Sequence, residues 1–182
     1  EGVTAALLIV QPDVVFGCLG TTKRRASAGG GDYAAVDFGL TAMLIDSAKK
    51  LPNPPTFIYI SAVGVSENSK TAYMKARADV EAYLKASGLT YLIVRPSFII
   101  GDRDDKRVGE AVGARVSDGA LAVLSCLGGR RLVGRYRTLT GQELAMGTVG
   151  LALEGIQESR VVYVPELKVA QKRLMSSATQ SN

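Results

Sequence analysis

The sequence predicts an α/β fold, a doubly wound parallel sheet, and two observations carry that expectation. Three short apolar runs rich in β-branched and aromatic residues, "DVVFGCLG", "TFIYISAV" and "TYLIVRPSFIIG", read as strands. The segments between them are long enough for helices and carry helical rather than alternating periodicity, as parallel βαβ units require. Hydrophobic residues at 47% and charged residues at 21% are ordinary globular usage, so a sizeable core is expected and disorder is not.

The first run, residues 13–20, is continuous and apolar and ends in glycine, the pattern of a strand buried on both faces. The polar, glycine-rich "TTKRRASAGGG" follows as a loop. From Asp32, a plausible N-cap, a helix is expected in which Phe38, Ala42, Ile45 and Ala48 share a face, with "LPNPP" stopping it. The second strand covers residues 56–63. A polar turn then leads into a helix over residues 71–87, with Ala76, Val80, Tyr83 and Leu84 facing inward and Gly88 closing it. The third strand, residues 90–101, is interrupted or ended by Pro96.

Beyond Gly101 the pattern loosens. Residues 108–125 read as a helix of small residues. "TGQELAMGTVGLALEG" opens with Thr140 and Glu143 at capping-box spacing and predicts a helix. "RVVYVPEL" adds a short edge strand before its proline. Residues 1–174 are expected to form a single partial domain, and 175–182 a disordered tail.

Several function classes are excluded or disfavoured at once. Histidine is absent, and Cys18 and Cys126 lie far apart, which rules out imidazole and thiolate zinc patterns and any histidine-based triad. Cysteine usage fits a reducing, intracellular compartment, cytoplasmic or organellar. The chain begins at Glu1, so a targeting segment cannot be read from it. The apolar runs are far too short for a membrane span, so a soluble chain is expected. The net charge of +5 is densest in "GRRLVGRYR", yet only Tyr136 accompanies those arginines as a stacking platform, which disfavours nucleic acid.

Ligands of an open parallel sheet bind beyond the carboxyl ends of its strands. There lie "CLGTT", "SAVG" and "RPSFIIGDR". Ser61 ends the second strand and Tyr73 follows twelve positions later, in the first turn of the next helix. Tyr73, Arg77 and Glu81 recur at i, i+4 and form one stripe. Lys75 points about 200° away from Tyr73 at about 3.6 residues per turn, so Arg77 is the cation beside the phenol. A phenol is a poor base near neutrality unless a cation stabilises its phenolate. With one, Tyr73 can act as acid/base while Ser61 holds a substrate oxygen. The plainer alternative is a half-buried Tyr73 and a surface Arg77–Glu81 pair contributing a few tenths of a kcal/mol.

Together "DVVFGCLGTT", "VDFG", "FIYISAVG", Tyr73 with Glu81, and "IVRPSFIIGDRDDKRVGE" resemble the atypical short-chain dehydrogenases, in particular the Tat-interacting-protein-like and NmrA-like NAD(P)-binding group with its Rossmann-like sheet. The resemblance covers about residues 10–112. It implies a nicotinamide cofactor, NAD or NADP, and a Ser…Tyr-x-x-x-Lys set carried by Ser61, Tyr73 and, in place of the lysine, Arg77. Cys18, Gly20, Thr21 and Thr22 would run under the cofactor, and Pro96 and Ser97 would border its nicotinamide end. Arginine keeps the charge but is longer and planar, so the exchange is not conservative at a site of fixed geometry.

The resemblance also implies an earlier strand with a glycine-rich loop, and the sequence has none. Gly29, Gly30 and Gly31 are consecutive and lack the G-x-G-x-x-G spacing. Either an upstream portion or a second chain supplies that part, or the dinucleotide is held abnormally. Two readings follow. One is an oxidoreductase acting on a small carbonyl or hydroxyl substrate. The other is a redox-inactive scaffold, regulatory or assembly subunit, whose open sheet edge is covered by a protein partner or second chain.

Overall fold

The computed structural model describes residues 2–20, 34–100 and 134–180. In chain order the elements are helix α1 (Gly2–Val10), strand β1 (Val14–Gly17), a π-helical segment (Ala34–Gly39) running into α2 (Leu40–Lys49), β2 (Thr56–Ile60), α3 (Ala72–Lys85), β3 (Tyr91–Arg95) and β4 (Ile99–Ile100). They continue with β5 (Leu139–Thr140), α4 (Gly141–Leu153), β6 (Arg160–Tyr163) and α5 (Val164–Gln180). The chain divides into two compact units, one of Glu1–Arg95 with Gly155–Val162 and one of Pro96–Glu154 with Tyr163–Asn182.

The first unit is built on a four-stranded sheet of order β1-β2-β3-β6, with β1–β2 and β2–β3 both parallel. This is the α/β architecture expected from the apolar runs. Val15 sits opposite Phe57, and Ile58 opposite Leu92, fixing the register. Because side chains alternate across a strand, Phe57 and Tyr59 share one face of β2. They pack with Val15, Ile45, Val80, Leu84 and Ile93 in one core cluster. Each such burial contributes about 1.5–3 kcal/mol for a Val, Leu, Ile or Phe side chain.

β2 and β3 have three consecutive buried residues each, whereas β1 does not: Phe16 remains 40% exposed. The expectation of a first strand buried on both faces is therefore corrected. Among the described residues β1 ends the strand order, so the face carrying Phe16 lacks the cover that β2 receives. Gly17 is required by packing, since a Cβ there would lie 2.8 Å from the Phe57 ring.

α3 starts where the sequence predicts, with the Thr71 hydroxyl accepting from the Met74 backbone N–H at 3.3 Å. It closes before Gly88, whose φ of +82° favours glycine. Ala76, Val80 and Leu84 are buried as expected. Tyr83 is only half-buried; its hydroxyl donates to the Asp46 carboxylate at 2.8 Å and its ring meets Phe38 edge-on. β3 stops at Arg95, and Ile99–Ile100 belong to a separate two-stranded parallel sheet, so Pro96 ends the third strand rather than interrupting it.

In the second unit α4 carries the complete predicted capping box, with Thr140 and Glu143 bonding reciprocally. α4 and α5 meet through glycine: a Cβ at Gly147 would lie 2.6 Å from the Leu167 carbonyl oxygen, and one at Gly150 2.9 Å from that of Ala170. α5 continues through Gln180, so residues 175–180 of the expected tail are helical. The hydroxyls of Ser176, Ser177 and Thr179 donate to the carbonyls of Lys172, Leu174 and Met175, satisfying groups that would otherwise compete with the helix. The expected helix over 108–125 lies outside the described residues.

Candidate functional site

The residues singled out in the sequence converge where β2 passes toward α3, but their partners differ from those expected. Ser61 is buried just past the end of β2 and its hydroxyl donates to Glu81 Oε1 at 2.6 Å. Glu81 is buried on α3 and also accepts from Arg95 Nε at 2.9 Å and from Arg95 Nη2 at 2.6 Å. Lys85, one turn on, lies 3.5 Å from the same carboxylate. One carboxylate thus ties α3 to the carboxyl ends of β2 and β3.

Arg77 occupies a second knot. It is buried, and its Nη1 donates to the Tyr59 hydroxyl at 3.2 Å and to the Ile60 backbone carbonyl. Its Nη2 faces Asp37 Oδ1 at 3.5 Å, and Asp37 is fully buried on the π-helical segment. The guanidinium lies 4.8 Å from the Tyr73 ring centroid and 5.8 Å from that of Tyr59, within the range of cation–π attraction. Its Nε has no hydrogen-bond partner among the described residues. The surface Arg77–Glu81 pair is therefore corrected: both residues are buried, and they pair with Asp37 and Arg95 instead. Lys75 is exposed, as helical phase requires.

These contacts set the local electrostatics. Burial pushes the Tyr59 phenol up to about 12, and Arg77 only partly counters it. Burial acts to lower the Arg77 pKa, but Tyr59, Tyr73 and Asp37 outweigh it, and the net direction is upward. The guanidinium is thus a permanent cation lying over the ring of Tyr73, which is half-buried.

Gly20 belongs to the same neighbourhood. A Cβ at that position would come within 3.1 Å of Arg77 Nη2 and 3.3 Å of Asp37 Oδ1, so the backbone of "CLG" passes directly against the Arg77–Asp37 pair. Cys18 is exposed and reduced. Thr21 and Thr22 lie outside the described residues. Pro96 and Ser97 belong to the second unit, where Pro96 is buried and the Ser97 hydroxyl donates to the Arg137 carbonyl. In the basic run, Arg135 stacks 4.1 Å from the Tyr163 ring centroid, while Arg130 and Arg131 lie outside the described residues.

Sequence reasoning missed Asp37, Tyr59 and Arg95 as members of these knots. Asp37 left a signal: an acidic residue one place before Phe38, four before Thr41, in a segment whose neighbours are apolar. Tyr59 gave none, because an aromatic residue in a buried strand reads as core.

A parallel sheet with polar side chains gathered past its strand ends has the ligand-binding layout of open α/β proteins. Comparison with known proteins makes this specific. Residues 3–123 match the family model described as NAD(P)H-binding, and the chain belongs to that family. It is 28% identical over 162 residues to the Saccharomyces cerevisiae protein named "Protein FMP52, mitochondrial", covering 85% of this chain and 65% of the relative. To the Aspergillus niger "Protein fmp52, mitochondrial" it is 30% identical over 106 residues, covering 58% of this chain and 44% of the relative. The chain thus spans about half the length of the curated relatives it matches.

Among solved structures, UDP-glucuronic acid 4-epimerase from Bacillus cereus, in complex with NAD and a substrate analogue, superposes with a TM-score of 0.60 at 17% identity. That match covers 90% of this chain and 56% of the epimerase. MoeE5, solved with UDP-glucose and NAD, gives 0.60 at 14% identity over 97% and 66% of the two chains. At such identities the likeness shows the fold, which is that of Rossmann-type proteins. NAD(P)H is thus the cofactor of the family. The chain's residues fit it in part: Gly20 offers backbone unobstructed by a side chain beside a fixed cation, and no G-x-G-x-x-G spacing occurs in the sequence. Among the described residues no helix is long and apolar enough to cross a membrane.

Proposed function

We propose that this chain forms the nicotinamide side of an NAD(P)H site and acts as an oxidoreductase on a small carbonyl or hydroxyl substrate. Tyr73 is its proton donor or acceptor and Arg77 the cation beside it. The supporting observation is the Arg77 guanidinium, 4.8 Å from the Tyr73 ring centroid, with Gly20 packed against the guanidinium's other end. NAD(P)H would supply the hydride to a carbonyl, or NAD(P)+ would take it from a hydroxyl. The chain's own residues would fix the phenol, hold a compensated positive charge beside it and admit the cofactor backbone-first at Gly20, near Cys18.

Ser61 takes a different role from the one its spacing suggests. Its proton is donated to Glu81, so it cannot simultaneously donate to a substrate oxygen. That commitment favours the second reading, a cofactor-binding scaffold or regulatory subunit without turnover, and makes the two readings separable. Relatives named as mitochondrial support an organellar location for this chain under either reading.

The test is calorimetric titration of NADPH and NADH into the chain and into the full gene product, followed by a screen of carbonyl substrates. The enzyme reading expects Tyr73→Phe to abolish turnover while leaving cofactor affinity within about threefold. Retained turnover in Tyr73→Phe removes Tyr73 from the chemistry. Cofactor binding without turnover by any carbonyl leaves the scaffold reading standing.

A further inference from the structure

We infer that Asp37 is a positioning residue of this site: together with the bare backbone at Gly20, it holds the Arg77 guanidinium over the Tyr73 ring and makes position 77 selective for arginine over lysine. The inference rests on the proposed site, and it assigns work to Asp37, which the acid/base scheme leaves unused, and a second role to Gly20.

The geometry divides the guanidinium's nitrogens between two anchors. Nη1 is bound to the end of β2, through the Tyr59 hydroxyl and the Ile60 carbonyl. Nη2 is bound to Asp37 on the π-helical segment. Two nitrogens of one rigid group held at separate points leave it little freedom, and here they keep its central carbon 4.8 Å from the Tyr73 ring centroid. A lysine has one nitrogen and no plane. Its ammonium can reach the β2 anchor or Asp37, and it presents no face to stack.

The surroundings close the remaining freedom. Asp37 is fully buried, so its carboxylate has no access to water as an alternative partner. A π-helical turn inserts an extra residue into a helix and re-aims what it carries, and such turns cluster at functional sites. Here the turn carries Asp37, and Gly39 ends it. From above, Gly20 approaches so closely that any Cβ would sit 3.1 Å from Nη2 and 3.3 Å from Asp37 Oδ1. An alanine there requires the ion pair or the loop to give by a few tenths of an ångström. The same two contacts explain how an arginine fits where the resemblance implies a lysine: the room comes from the missing side chain at 20, and the extra nitrogen finds its counter-charge at 37.

The experiment reads the guanidinium's position directly. Ring currents from Tyr73 shift the Arg77 side-chain protons upfield, and these resonances are assigned by their loss in Arg77→Gln and their return toward ordinary values in Tyr73→Leu. The expected result is that Asp37→Asn and Gly20→Ala each reduce the upfield shift by more than half, and that Arg77→Lys shows no comparable shift on its side chain. An Asp37→Asn protein that retains the full shift overturns the proposal. Should Asp37→Asn fail to fold at 25 °C, the proposal requires Asp37→Asn/Arg77→Gln to restore folding, because the uncompensated guanidinium is then gone; failure of the double variant to fold overturns it. NADPH affinity is measured on the same samples. A wild type without affinity for either dinucleotide refutes the proposed function, whereas the ring-current result stands or falls independently.

Discussion

Neutralising Glu81 is the sharpest available perturbation of this fold, because one buried carboxylate serves two strands and a helix. Glu81→Gln preserves volume, and its amide oxygen still accepts from Ser61, so the bond worth about 1 kcal/mol is retained. What is lost is the charge facing Arg95, whose side chain is 17% exposed. Breaking a buried ion pair by removing one partner costs about 3–5 kcal/mol, and the water access left to Arg95 places this case at the lower end, about 3 kcal/mol. With a urea m-value of about 2 kcal/mol per molar, the midpoint falls by about 1.5 M. The assay is urea unfolding followed by hydrogen exchange at the Phe57 and Ser61 amides, which are bonded to Thr90 and Val94 across β2 and β3 and report on the first unit. Glu81→Met/Arg95→Met should recover most of the loss, since both charges then leave together. A loss under 1 kcal/mol, or equal losses from Glu81→Gln with Arg95 present or replaced by Met, would refute the claim that this pair ties α3 to the sheet.

Three further perturbations test other parts of the account. Gly147→Ala drives a Cβ to 2.6 Å from the Leu167 carbonyl oxygen and should cost about 1–3 kcal/mol, read as a lowered Tm, while Gly141→Ala meets nothing within 4 Å and should not destabilise. Tyr59, with its phenol near 12 when folded and about 10 when unfolded, holds its proton more tightly in the native state. Its contribution is complete below pH 10 and is lost as pH rises toward 12, at up to about 1.4 kcal/mol per pH unit, and Tyr59→Phe should flatten that alkaline slope. At α4, Thr140→Ala removes the cap on the Glu143 N–H and should cost about 1 kcal/mol. Glu143 is held below its usual range chiefly by the Thr140 backbone N–H, so this end of α4 should weaken as pH falls below 4.5, seen as faster amide exchange in its first turn.

How far the sequence could be read depended on whether a residue's role was local. The strands at 14–17, 56–60 and 91–95, the Thr71 and Thr140 caps and the outward phase of Lys75 all follow from runs, spacing and capping chemistry within a few residues. Position 77 shows the boundary. Helical phase correctly placed Arg77 on the Tyr73 stripe, but phase cannot say that this stripe faces inward, because arginine and glutamate at i, i+4 are equally consistent with a solvated face. Only pairing with Asp37, forty positions away, and of Glu81 with Arg95, across a strand, makes burial of either charge tolerable. The tail misread has the same origin. "MSSATQSN" has a loop's composition, yet its described part, residues 175–180, is helical, and the hydroxyls of Ser176, Ser177 and Thr179 each find a carbonyl one turn back.

The two buried knots along α3 constrain each other's interpretation. The stripe Tyr73, Arg77, Glu81, Lys85 puts a cation, an anion and a cation in successive turns, and the central pair is buried. If Arg77 and Glu81 paired along the helix, Ser61 would be released and Arg77 would leave Tyr73. Instead each is drawn to a different strand end: Arg77 to the carbonyl of Ile60 and Glu81 to Arg95 and Ser61. Since Ile60 and Ser61 are adjacent in sequence, the end of β2 is gripped from both sides, its carbonyl by one α3 residue and its hydroxyl by the next along the stripe. Tyr73, one turn earlier, inherits its position from that grip. A Ser61→Ala variant should therefore weaken anchoring of α3 and, if turnover is found, lower kcat through Tyr73 rather than raise KM for the carbonyl. A pure KM effect would instead return Ser61 to the substrate and displace Glu81 as its partner in the working enzyme.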